Sequence, residues 1–502
     1  MSLLFLKNAQ IADGSGADLR SGNILLRDDR IAEVGMPECP AHAAEMDCSG
    51  LVVAPGFIDA HSHSDLQVLD PSRKEKLLQG VTAEVVGNCG FSPYPLHGSG
   101  EDLREFANGI LFGGDSWGWK RAADYLLETQ ARARLASVAS LVGHGSLRIA
   151  HAGPVQGPLP EGTVSAMEAT LDESLAGGAT GFSTGLMYAP GASAPTSELT
   201  RLCRVVARRG KIYCSHIRDY SSHLLEAIDE QIELARDTGC KLQISHLQTV
   251  GRVNWHANSL ALEKIERARL EGIDVMFDCY PYLAGSTVLT QMLPQWALDG
   301  GTAALLDRLA DSATRQSMAE AIAQSLVHEW SDIYISGVQS DANADVVGQN
   351  LEEISKARSQ SPIEAIFQLL VEEKAAVNML QFNQSEENLR RNLSHPLSIV
   401  ISDGFYVKGR AHPRLHGTFP ELLGKICRDN KWLSLPEALH KVTGKPATRF
   451  QIERRGFIRP GYFADLVLFD EQAVASRSTY ADPNRLPAGI RHVIRNGRVL
   501  LG

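Results

Sequence analysis

Eight short apolar runs recur through the middle of the chain, and they restrict its fold more than any other feature. They are VVAPGFIDAH, VTAEVVGNCG, ASVASLVGHG, ATGFSTG, KIYCSH, KLQISH, IDVMFDCY and LSIVISDG, each followed by a polar or glycine-rich break and then a helical stretch. Between them, LLEAIDEQIELARDTG and ANSLALEKIERARLEG carry the amphipathic helical period. Strand–helix alternation repeated this often predicts a parallel α/β fold. Eight runs fit a closed (β/α)8 barrel of the TIM type.

The two ends of the chain read differently. FLKNAQIADGSG and GNILLRDDRIAEVG near the start alternate apolar and polar residues, as do GYFADLVLFD and IRHVIRNGRVLL near the end. They predict one small β-sandwich domain assembled from residues 1–54 and 455–502, flanking a barrel domain over 55–454. Within the barrel domain, at about 289–349, the alternation lapses into a helical insert that could cover a barrel mouth.

Composition narrows the function classes. With 44% apolar and 22% charged residues over 502 positions, the chain has the make-up of an ordinary globular protein. A net charge of -10 without a basic run argues against a nucleic-acid partner. The start MSLLFLKNAQ has too short an apolar stretch for a signal peptide, and no window reaches the length of a membrane span. Eight cysteines without a CxxC pair suggest neither a disulfide scaffold nor a zinc ribbon. The expectation is a cytoplasmic enzyme with no membrane or nucleic-acid partner.

In a (β/α)8 barrel the active site lies at the carboxyl ends of the strands. Those ends carry His61 and His63, then Cys89, His144, His216, His246, Tyr280 and Asp403, so five of the sixteen histidines fall there. Imidazole, thiolate and carboxylate are the groups that bind zinc or move protons. Taken singly, each has an ordinary explanation. Cys89 in GNCG suits a buried structural cysteine, His216 and His246 suit core or surface positions, and Asp403 in ISDG suits a helix cap or turn. Their joint placement at one end of eight strands predicts a metal site.

The motifs carry a resemblance as well. APGFIDAHSHSD resembles the opening of the amidohydrolase superfamily. GNCGFS, GHGSLR, GFSTGLMYAPG, SHIRDYSSHLLEAIDE, DCYPYLAGST, ISDG, HPRLHGTFPELLG and KVTGKPATRF, in that order, resemble the N-acyl-D-amino-acid deacylases, or D-aminoacylases. The resemblance implies one tight zinc held by Cys89, His216 and His246, with His61 and His63 lining a second position that is weaker or empty. It implies that Cys89 bridges where hydantoinases and dihydroorotases use a carboxylated lysine. Three protein ligands leave a position open for water, as a catalytic zinc requires. Asp403 then serves as the general acid–base, and Tyr188 either donates to the developing oxyanion or packs as an aromatic in its loop. His144 is read as supporting the site from behind the ligands.

The resemblance further implies a small-molecule N-acyl amino acid as substrate, its α-carboxylate held by Arg414, Tyr280 and Ser286. A lysine of the family pattern is replaced by Gln248. The expected reaction is zinc-dependent hydrolysis of a linear amide, releasing a carboxylate and a D-amino acid. The alternatives are a cyclic-amide hydrolase of the hydantoinase type and a barrel that has lost its chemistry and serves as a scaffold.

Overall fold

All eight runs form strands. The computed structural model describes residues 2–113 and 117–502. Numbering only the barrel strands, they are β1 (Phe57–Asp59), β2 (Val81–Val86), β3 (Ser137–Gly143), β4 (Gly181–Gly185), β5 (Ile212–His216), β6 (Lys241–Ile244), β7 (Val275–Cys279) and β8 (Ser398–Val400). Each pairs in parallel with the next. A parallel Ser62–Gly404 bridge joins the first strand end to the last and closes the barrel. That closure falls at the site itself: the Asp403 amide donates to the His61 carbonyl at 2.8 Å, and the His63 amide donates to the Gly404 carbonyl at 3.0 Å.

The connecting helices follow from the sequence period. In Leu224–Thr238, residues Leu224, Ala227, Ile228, Gln231, Ile232, Leu234 and Ala235 are buried, which is one helical stripe. Fully burying an Ile or Leu side chain is worth about 1.5–3 kcal/mol, so the stripe seats the helix on the barrel. Gly239 ends it at φ 73°, its amide donating to the Ala235 carbonyl. Along β5 the period is two: Ile212 and Cys214 belong to the barrel's interior cluster, while Tyr213 packs outward against the helices. His216 continues the inward face and so emerges at the barrel mouth.

Both termini contribute to a second eight-stranded sheet, from Leu3–Ile11, Arg20–Arg27, Arg30–Gly35, Ala44–Asp47 and Val52–Pro55 at one end and Leu466–Phe469, Ile490–Arg495 and Arg498–Leu501 at the other. Its own core includes Leu6, Ile24, Leu26, Val53, Leu466 and Ile494. The run VVAPGFIDAH is therefore divided at Gly56, its first half in this sheet and its second in the barrel.

Between β7 and β8 the chain contains more than helices. Gly301–Ala310, Ser312–Ser325, Leu351–Ala357 and Pro362–Glu372 are helical, but they accompany a three-stranded antiparallel sheet of Ala284–Val288, Asn378–Phe382 and Ile333–Gly337, in that order. Its strands lie roughly 40 residues apart in sequence, so no hairpin signal announces them. The insert buries a core of its own around Leu293, Leu309, Ile335, Phe367 and Met379.

Candidate metal and catalytic site

Two groups of metal-donor atoms meet at the carboxyl ends of the strands. Cys89, His216 and His246 form one, and His61, His63, Cys89 and Asp403 form the other, with ligand atoms within 4.8 Å of one another in each. Cys89 is common to both. Its Sγ lies 3.3 Å from His61 Nε2 and 3.4 Å from His246 Nε2. The five residues expected as metal ligands are thus together, and Asp403 is with them.

The donor set fits zinc. Both ring nitrogens of His216 are buried without a hydrogen-bond partner, as is Nδ1 of His246. Burial, ahead of the neighbouring imidazole charge, holds His216 well below the ordinary histidine range, and burial holds His246 down at about 4. Both are therefore neutral at pH 7, the form in which imidazole binds metal. Burial pushes the Cys89 thiol up, so a thiolate there needs a cation beside it.

Three of these residues adopt a backbone conformation that side-chain-bearing residues rarely use. Cys89 has φ 52°, His246 φ 34° and Asp403 φ 49°. Such left-handed positions cost of order 1–3 kcal/mol each and cluster at functional sites. The turn at Cys89 is also crowded: a Cβ on Gly185 would lie 2.0 Å from the Cys89 carbonyl oxygen, so only glycine fits opposite it.

Asp403 is buried and ionised. Burial raises a carboxyl, but Arg414, whose Nη2 lies 3.0 Å from Asp403 Oδ2, outweighs it and holds the group well below the carboxylate range. On its other side, Oδ1 lies 3.3 Å from Nε2 of both His61 and His63. Arg414 was expected to face a substrate; in this structure it also neutralises Asp403. It stacks 4.6 Å over the Tyr280 ring, and its Nε and Nη1 have no partner among the described residues.

The other expected residues line the same cavity of about 170 Å3. Tyr280 donates its hydroxyl to Gln248 Oε1 at 3.0 Å and receives Gln384 Nε2 at 3.2 Å. Ser286 offers its carbonyl to Arg414 at 3.4 Å. The Tyr188 hydroxyl meets Thr287 Oγ1 of the insert sheet at 3.0 Å, and its ring packs against Phe91 and His216. Walls from the insert, including Met292, Ile322 and Leu326, close the far side.

His144 stands apart from the metal groups. It is buried, with Nε2 2.8 Å from Glu198, whose carboxylate also takes Arg148 at 3.0 Å. It is the first residue of the helix His144–Ala152 and ties that end to Glu198 of the helix Thr196–Arg208. Asp278, at the end of β7, escaped the sequence reading. Its Oδ1 accepts the His246 amide at 2.6 Å and lies 3.5 Å from His61 Nδ1, while Oδ2 accepts Gln243 at 2.9 Å. Its signal was available, since FDCY places an aspartate at a strand end like the others. Beneath Asp403, the buried Lys76–Asp59–Ser402 cluster fixes the end of β8, with the Ser402 amide donating to Asp59 at 3.0 Å.

The chain matches the amidohydrolase family over residues 44–501. It is 34% identical over 499 residues to a D-aminoacylase of Alcaligenes xylosoxydans xylosoxydans, covering 98% of this chain and 93% of that protein. It is also 34% identical over 500 residues to an N-acyl-D-glutamate deacylase of the same organism, covering 98% and 92%. Among solved structures, an N-acyl-D-glutamate deacylase from Bordetella bronchiseptica, complexed with zinc and a phosphonate mimic of the tetrahedral intermediate, superposes with a TM-score of 0.85. The identity there is 33%, over 100% of this chain and 97% of that one.

Proposed function

The chain belongs to the amidohydrolase family, and from that premise we propose that it is a zinc-dependent hydrolase of N-acyl-D-amino acids. It cleaves their linear amide bond and releases a carboxylate and a D-amino acid. The observation that carries this is an ionised carboxylate, Asp403, packed within 4.8 Å of a donor set of thiol and imidazole.

Cys89, His216 and His246 hold the tight zinc, and His61 and His63 with Cys89 line a second, weaker position. Zinc supplies Lewis acidity there, acidifying a water molecule and polarising the amide carbonyl. Asp403 accepts the proton of the attacking water and passes it to the amine nitrogen, which leaves poorly as an anion. An ionised carboxylate only accepts hydrogen bonds, and Arg414 keeps it in that form until the proton arrives. The Tyr188 hydroxyl, oriented by Thr287, donates to the developing oxyanion. Arg414 receives the substrate α-carboxylate alongside Tyr280 and Ser286; its unpartnered Nε and Nη1 support that role.

We further propose a cytoplasmic enzyme whose partner is its small-molecule substrate; all eight cysteines are free thiols, as a reducing compartment keeps them. Among the described residues no helix is long and apolar enough to cross a membrane. Amine release from N-acetyl-D-amino acids, their L-isomers and a hydantoin panel tests the function. The D-isomers should be hydrolysed and the rest spared; turnover of the hydantoins alone would favour the cyclic-amide alternative.

A further inference from the structure

A second cavity, of about 350 Å3 against the 170 Å3 of the site, adjoins the metal centre and takes no part in the chemistry described above. Phe91, Ile110, Tyr188 and Gln291 line both. Two of the four stand at the reacting centre. Phe91 follows Cys89 by two residues, and Tyr188 carries the hydroxyl assigned to the oxyanion. Their rings meet edge to face at 5.1 Å and so bound the reacting centre on one side and the second cavity on the other.

The insert strand Ala284–Val288 gives the direction from one cavity to the other. Ser286 offers its carbonyl to Arg414 at 3.4 Å, at the carboxylate end of the proposed substrate. Thr287 holds the Tyr188 hydroxyl at 3.0 Å, where the amide carbonyl reacts. Val288, the next residue, lines the second cavity and not the first. At about 3.3 Å per residue, the strand passes carboxylate subsite, oxyanion subsite and second cavity in turn. An N-acyl amino acid presents its carboxylate, its amide and its acyl group in that same order, so its acyl group points at the second cavity.

The lining decides which acyl groups fit. Ile110, Ile149, Val288 and Leu305 are buried, and Phe106 stacks on Phe91 with ring centroids 4.5 Å apart. The charged residues of this cavity, Asp102, Glu105 and Lys374, are all exposed and belong to its rim, where Glu105 already accepts the Thr302 amide at 2.7 Å. Among the described residues lining it, none that is charged is buried. A space with hydrocarbon walls favours an alkyl chain, whereas an acetyl group would leave most of that apolar wall in water. Resting on the deacylase activity proposed above, we infer that the second cavity is an acyl-chain site and that the enzyme prefers N-acyl-D-amino acids with fatty acyl chains over acetylated ones. The carboxylate released is then a fatty acid. Leu298 lines this cavity alone and limits the length of chain it accepts.

The test measures kcat/KM on the zinc-loaded enzyme for N-acetyl-, N-butanoyl-, N-hexanoyl- and N-octanoyl-D-methionine. The values should rise along the series, with octanoyl at least about 30-fold above acetyl, because each buried methylene can contribute up to about fourfold. Leu298→Trp should lower the octanoyl-to-acetyl ratio by about tenfold or more, since the indole takes the space the chain needs. Ala303→Trp, at an exposed position of the same wall, gives the same comparison where Leu298→Trp does not fold. A flat or falling wild-type series overturns the inference while leaving the deacylase activity standing. A rising series with an unchanged ratio in the folded variants puts the chain elsewhere and overturns the assignment to this cavity. No turnover of any member, nor of N-acetyl-D-glutamate, overturns the deacylase activity itself and the acyl site with it.

Discussion

Replacing Asp403 by asparagine separates the chemistry of the site from its architecture. The two side chains have the same shape, but an amide cannot take a proton from water. General acid–base groups contribute about 10²–10⁴ in rate, equivalent to roughly 2.7–5.4 kcal/mol of barrier, so kcat should fall by at least about 100-fold. The structural cost is smaller. Asp403 is buried and ion-paired to Arg414 at 3.0 Å, with His61 and His63 Nε2 each 3.3 Å from its other oxygen. Asparagine keeps a carbonyl acceptor for Arg414 and loses the charge, and a hydrogen bond to a charged group is worth about 1.5–3 kcal/mol. The melting temperature should therefore fall by no more than several degrees. Zinc should stay, because Cys89, His216 and His246 form a donor group without Asp403. Steady-state kinetics, calorimetry and elemental analysis on the same preparation measure the three quantities. A kcat within about threefold of wild type would remove Asp403 from proton transfer. Loss of zinc together with activity would make it a ligand instead of a base.

Cys89→Ala, His216→Ala and His246→Ala should each lose both zinc and activity, and full zinc by elemental analysis in the Cys89→Ala protein would refute the ligand assignment. Tyr188→Phe keeps the ring packing on Phe91 and His216 but removes the hydroxyl held by Thr287; kcat should drop by about 100-fold with the melting temperature unchanged, and an unchanged kcat would reduce Tyr188 to a wall of the cavity. Stability should fall on acidification below pH 6.5, in part through His412, whose Nδ1 accepts the Arg414 amide at 2.9 Å and whose Nε2 donates to the Ala284 carbonyl at 3.0 Å. Burial, and then the Arg414 charge, hold this imidazole well below 6.5, so under acid conditions the unfolded chain binds a proton that the native one refuses, at a cost of up to about 1.4 kcal/mol per pH unit. Denaturant melts between pH 5 and 7 should show a shallower slope for His412→Gln, and parallel slopes would remove His412 from the acid sensitivity.

The barrel and most of its site were legible in one dimension because their causes are local. A strand buried on both faces must be an apolar run, and eight such runs with helical periods between them leave few architectures. The gathering of donor side chains was legible for the same reason: His61, Cys89, His216, His246 and Asp403 all lie at the ends of such runs, where a parallel barrel brings its strand ends together. Tertiary structure decided what depends on residues distant in sequence. The pairing of Asp403 with Arg414, the reach of Asp278 to both His61 and His246, and the three-stranded sheet of the insert join segments whose spacing has no period. The left-handed backbone at Cys89, His246 and Asp403 is likewise invisible in residue identity, since none of the three is a glycine. Those conformations persist because the closed barrel holds the flanking strands more firmly than the local strain can displace them.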